Sequence, residues 1–275
     1  MKTRIITFMM LFALMVTVVQ AKKVKGNGSI ITKEVQISDF NCLELGGNIS
    51  WNSNTFFSKK ENKGPVCYYT QSSGTASLII TIDENLYSLL DIAHSNGKLT
   101  IRVQKGTQIA PTQLVYKIKS SQLEMLDISG SIDFILESPL NGKSLAIRAA
   151  GASDVYLKPK IQVEKCSLGA AGASDLKIGN LNCNSISVSA SGASDIDLKG
   201  KAVNGEYNAS GSSDINAYDF VIENLKCHAS GSSDLYVHVT EKLKAEASGS
   251  SDIKYKGNPR NDTHASGSSD IKQVK

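Results

Sequence analysis

Over its C-terminal half the chain alternates apolar and polar residues with a period of two. The apolar residues fall at Ile147 and Ala149, Val155 and Leu157, Leu168 and Ala170, Leu176 and Ile178, with Lys, Ser, Asn, Asp and Tyr between such positions. This alternation buries one face of a strand. Apolar residues at three- and four-residue intervals, which a helical repeat needs, are absent.

The alternation is organised by a repeat. Gly-[Ala/Ser]-Ser-Asp followed by an aliphatic residue occurs seven times, with its glycines at Gly151, Gly172, Gly192, Gly211, Gly231, Gly249 and Gly267. A degenerate copy, SGSIDF, places Gly130 before them, and successive spacings are 21, 21, 20, 19, 20, 18 and 18 residues. Alanine stands two residues before each of the seven glycines, from Ala149 to Ala265, and an aliphatic residue follows every aspartate, from Val155 to Ile271. A propeller blade needs about forty residues. A unit of about twenty holds only two or three short strands and must bury its apolar face against its neighbours. The predicted fold is all-β, a right-handed parallel β-helix (solenoid) with about 20 residues per coil, the hand being the default for parallel crossovers. Seven intervals at about 4.8 Å give a rod of about 34 Å for the regular part.

The constant columns read as a bend. Alanine keeps a narrow interior small, and glycine supplies positive φ or close approach. Serine and aspartate can bond their own backbone there. Gly192, Ser194 and Asp195, Gly211, Ser213 and Asp214, and Gly231, Ser233 and Asp234 are thus predicted structural turns.

Residues 37–128 are less regular. Strands are predicted at Gln36–Phe40, Leu78–Ile82, Leu99–Val103 and Leu114–Ile118, a turn at Asn96-Gly97, a short helix within Asp83–Leu90, and a loop over Asn52–Pro65. This half is expected to form initial coils that cover an open sheet edge. It is continuous with the regular repeats of 129–275, making one domain over 37–275.

Ahead of it, Lys2 and Arg4 precede the apolar run Ile5–Val19 and the site Val19-Gln20-Ala21. Residues 1–21 read as a signal peptide, 22–36 as a linker, and the protein as exported to the periplasm, cell surface or medium, with no membrane span after processing. Cleavage lowers the formal charge from +4 to about +2, too small and evenly mixed to argue for nucleic acid. Of five cysteines, Cys42 and Cys67 could pair, whereas Cys166, Cys183 and Cys227 read as small buried apolar residues.

The stretches SASGASDIDLKG (189–200), NASGSSDI (208–215) and EASGSSDIKYKGNP (246–259), behind an irregular β half and a signal peptide, resemble the bacterial head GIN domain family of auto-transporter adhesins. The likeness spans roughly residues 37–273. It implies a right-handed β-helix and an adhesive role. An auto-transporter also needs a membrane barrel after its passenger. This sequence stops five residues after Asp270, so export is expected to use other machinery.

Function is read from the outward positions. Tyr156, Tyr218, Tyr236 and His238, interleaved with lysines, are candidate ligand-binding residues, since rings on a rigid face can stack on sugars; the alternative is a solvated strand face rich in β-formers. A glycan or a surface protein is the expected partner, or a second copy of the chain. A structural, self-assembling envelope role is the alternative, as is a polysaccharide-processing enzyme. Enzyme activity is not expected, because the acids lie in a periodic column and not as a converging pair. No catalytic residue or cofactor is assigned. The column of aspartates poses its own question: at about 5 Å, neighbouring carboxylates repel by about 0.8 kcal/mol even in water. Local hydrogen bonds at the bend are the expected remedy. Calcium at Asp195, Asp214, Asp234 and Asp252 is the alternative.

Overall fold

The computed structural model describes residues 21–51 and 64–275. The expected signal peptide therefore lies outside the described residues except for Ala21, as does most of the predicted loop.

The alternation predicted from sequence is realised as parallel coils stacked in register. Val155, Leu176, Ile196, Ile215, Leu235 and Ile253, each following a repeat aspartate, are all 0 % exposed. Each such burial contributes about 1.5–3 kcal/mol before conformational entropy is counted. A second inward column runs through ten coils: Leu99, Leu43, Leu126, Ile147, Leu168, Val188, Tyr207, Cys227, Ala245 and Thr263. Its first two members appear in reverse sequence order, because strand Cys42–Gly46 lies between Lys98–Val103 and Met125–Gly130.

The alanines Ala149, Ala170, Ala190, Ala209, Ala229 and Ala247 are buried; Ala265, in the last coil, is exposed. Replacing Ala229 by leucine is expected to overpack the bend and destabilise the protein by about 1–3 kcal/mol. Leucine at exposed Lys201 should leave the unfolding midpoint nearly unchanged; equal shifts would mean that inward and outward positions have been exchanged.

The glycine column sets the coil spacing at the bend. Gly151 through Gly267 hold φ between 80° and 86°, and a Cβ on any of these seven would lie 2.7–2.8 Å from the carbonyl oxygen of the glycine one coil below. The column starts earlier than the repeat does, since a Cβ on Gly130 would meet the Gly47 carbonyl oxygen.

The two polar columns divide the hydrogen bonding. Ser194, Ser213, Ser233 and Ser251 are fully buried, and each hydroxyl donates to the carbonyl three residues earlier at 2.8–2.9 Å. Most of the aspartates act differently from the own-backbone bonding predicted for them, because their carboxylates look along the rod. Oδ1 of Asp133, Asp154, Asp175, Asp214 and Asp234 accepts the backbone N–H of the aspartate one coil on, at 3.0–3.4 Å. A carboxylate facing an N–H is stabilised in its charged form, which offsets the repulsion along the column.

The N-terminal half departs most from expectation. Residues 22–36, read as a linker, instead contain strands Lys22–Lys25 and Ile30–Val35, because the first pairs with Thr107–Ala110 and the second, antiparallel, with Ser77–Asp83. The strand predicted at Gln36–Phe40 is absent. Pairing stops at Val35, and the chain leaves the sheet where the Asp39 carboxylate accepts the N–H and hydroxyl of Ser121. The other predicted strands form, as Ser77–Asp83, Lys98–Val103 and Leu114–Ser120. Asn96 and Gly97, both at positive φ, turn an antiparallel hairpin, and Glu84–Tyr87 is a single helical turn.

Asp83 ties these pieces together. Its fully buried carboxylate accepts the Gly28 N–H at 2.8 Å and both the N–H and the hydroxyl of Thr112 at 2.7 Å. All five cysteines are free thiols, so Cys42 and Cys67 are unpaired; Cys67, Cys166, Cys183 and Cys227 are buried in the apolar interior.

Candidate functional site

The aspartate ladder breaks at two steps, where Asp214 and Asp270 bond a serine carbonyl instead, and a cleft opens beside the first. Asp214 donates its N–H to the Ser194 carbonyl oxygen at 3.2 Å, not to the Asp195 carboxylate. Asp195 is left exposed, facing a cleft of about 390 Å³ lined by Asp175, Lys177, Asp195, Asp197, Asp214, Asn216, Tyr218 and Tyr236. Burial, then the nearby charges of Asp175, Asp214 and Asp197, raises the Asp195 carboxyl above its usual range.

The aromatic wall of the cleft is built by register. Asp197, Asn216, Tyr236 and Lys254 occupy one outward column on successive coils, two residues beyond the repeat aspartate. Tyr218, two residues further along its coil, meets Tyr236 edge to face with ring centroids 5.4 Å apart. The Lys254 ammonium sits 5.4 Å from the centre of the Tyr236 ring, and that of Lys256 4.7 Å from the centre of Tyr218. Such cation–ring contacts stiffen a surface aromatic at little energetic gain. The Tyr236 hydroxyl donates to Asp234 at 3.0 Å; burial, followed by that bond, pushes its pKa up to about 12, so the phenol stays neutral. On the floor, the Asn216 amide donates to Asp197 at 3.2 Å.

The four residues singled out from sequence are thus only partly brought together. Tyr218 and Tyr236 meet in the cleft. Tyr156 lies in the same column as Tyr236 but four coils away, about 19 Å, where its hydroxyl donates to Asp154 and Lys177 covers its ring. His238 is half-buried and registers with Lys256 beyond the edge of the cleft. Asp195, Asp214, Asp234 and Asp252 stand on successive coils with the carboxylates of Asp214 and Asp234 engaged by N–H groups. Among the described residues, no group of three or more His, Cys, Asp or Glu is placed to hold a metal ion.

Sequence reasoning missed Asp197 and Asn216 as lining residues. The signal was available, since both stand two residues after a repeat aspartate, in line with Tyr156 and Tyr236.

The cleft lies within a recognised repeat architecture. A family profile described as "putative auto-transporter adhesin, head GIN domain" matches residues 57–259. The chain belongs to this family. No curated protein matches the sequence significantly. Solved structures do. A putative adhesin from Parabacteroides merdae is similar at 30% identity and a TM-score of 0.81, over 93% of this chain and 100% of that one. A protein from Parabacteroides distasonis named a putative lipid binding protein has 28% identity and a TM-score of 0.82, over 92% and 100%. A putative adhesin from the same organism has 28% identity and a TM-score of 0.81, over the same shares. The head GIN member described here shares their stacked-coil fold along nearly its whole length.

Proposed function

We propose that this head GIN protein is an exported, non-enzymatic adhesin that binds carbohydrate on the side of its solenoid, in the cleft beside Tyr218 and Tyr236. One observation carries the reading: a fixed pair of rings stands over a row of carboxylates and an amide. A sugar presents apolar C–H faces and rows of hydroxyl donors. The rings suit the first and Asp175, Asp195, Asp197 and Asn216 suit the second. Because all of these side chains except that of Asp175 project from strands of the stacked sheet, little ordering is needed on binding. The adhesin names of the family and of its structural relatives support a binding role outside the cell.

A lipid ligand, suggested by the name of one relative, has less support in this chain. Ile, Leu and Ala columns pack the interior, and among the described residues only Ile30, Val203 and Val221 are exposed large hydrophobic side chains.

The test is a glycan array probed with the chain from Lys22 and with the Tyr218→Ala/Tyr236→Ala variant. Saturable binding to a subset of glycans is expected, weakened at least about tenfold in the variant, as loss of two stacked rings implies. Binding indifferent to both rings would overturn the placement of the site.

A further inference from the structure

A second surface lies beyond the Gly200 bend, on a stretch of coil separate from the tyrosine cleft. There a shallow groove of about 860 Å³ runs along the rod across six coils, from Lys165 to Arg260. Its two rims are columns of outward residues. One carries Asn204, Asn224, Lys242 and Arg260 in register, and the other Ser187, Glu206, Lys226 and Lys244. The coils thus divide it into a half of amides and hydroxyls, where Lys165 and Glu206 carry opposite charges, and a half holding four cations and one acid, Asp262.

These cations are close and outnumber the acids of the rim, where Glu206 registers with Lys226 and Asp262 with Lys244. Lys226 faces Lys244 and Lys242 faces Arg260 on adjacent coils, while Lys242 and Lys244 flank one inward leucine, Leu243. All four are exposed, and only Lys244 has an ion pair, with Glu246 at 3.2 Å. Like charges one coil apart repel, and nothing in the fold requires them there. A ligand with anionic groups would remove that repulsion. The amides and hydroxyls of the other half call for hydroxyl groups on the same molecule, and the length of the groove calls for a chain.

We infer that this groove binds an acidic polysaccharide laid along the solenoid axis. Its carboxylate or sulfate groups meet Lys226, Lys242, Lys244 and Arg260, and its hydroxyls meet Asn204, Asn224 and Ser187. The aliphatic stems of the lysines provide contact area while their heads bond the acid groups. The site stands apart from the tyrosine cleft, and either can fail alone.

Affinity electrophoresis of the chain from Lys22 through gels containing polygalacturonate or neutral dextran tests this. Retardation by polygalacturonate and not by dextran is expected, with the effect falling as salt rises. Lys242→Gln/Arg260→Gln and, separately, Lys226→Gln/Lys244→Gln should each weaken it at least about tenfold with an unchanged unfolding midpoint. Tyr218→Ala/Tyr236→Ala should leave it intact. Equal retardation in both gels, no retardation, or indifference to both charge variants would overturn the inference. So would binding to phosphatidylglycerol vesicles without binding to the polymer.

Discussion

Alanine in place of Gly231 is expected to destabilise the protein by about 3–5 kcal/mol. Two costs add. At φ 84° an L-residue suffers a backbone penalty of about 1–2 kcal/mol. The new Cβ would also lie 2.7 Å from the carbonyl oxygen of Gly211, a backbone atom held by its own coil, so the coils must part locally. Gly106 separates the two terms. Its φ is 79°, but a Cβ there meets nothing within 4 Å, so Gly106→Ala should show only the backbone penalty. Chemical denaturation of both variants gives the difference. Equal destabilisation would show that glycine is present for its φ alone and that coil spacing is set elsewhere.

Asp83→Asn should cost about 3 kcal/mol at neutral pH, because an amide presents N–H groups where the carboxylate accepts them from Gly28 and Thr112. Burial alone would raise the Asp83 carboxyl, but bonds from the Thr112 hydroxyl and from the backbone of Thr112, Gly28 and Gln113 outweigh it and hold the pKa below its usual value. A carboxyl depressed on folding stabilises the protein fully above its unfolded pKa, near 3.9. That stability is lost as pH falls through the lower, folded value. The gap between wild type and Asp83→Asn should therefore be constant from pH 7 to about 5 and narrow in stronger acid. A gap independent of pH would mean that Asp83 acts through shape and not charge.

The regular half of this fold was legible because its constraints repeat. One alanine, one glycine and one serine per coil meet the same neighbours each time, so seven copies state the same requirement seven times. The N-terminal half has no such redundancy. Strand Lys22–Lys25 is four residues, three of them lysine, and nothing in it announces a partner more than eighty positions away at Thr107. Gly47 begins the glycine column without any Ser-Asp after it, so the repeat cannot reveal it. The aspartates were misjudged in direction only: sequence identifies a carboxylate at a bend, but whether it turns to its own backbone or to the next coil depends on register. The cleft was half legible for the same reason. Tyr218 and Tyr236 differ by eighteen residues, slightly less than one coil, and their rings meet because register sets Tyr236 opposite Asn216, diagonal to Tyr218.

On the proposed function, this solenoid holds carbohydrate and does not cut it. Product analysis tests that most directly: the chain from Lys22 is incubated with neutral and acidic polysaccharides, and both the retained polymer and newly formed chain ends are measured. Polymer should be retained on the protein, with no increase in reducing or unsaturated ends over days. New ends that grow with protein concentration would contradict it and make the row of aspartates beside Tyr218 and Tyr236 a catalytic site.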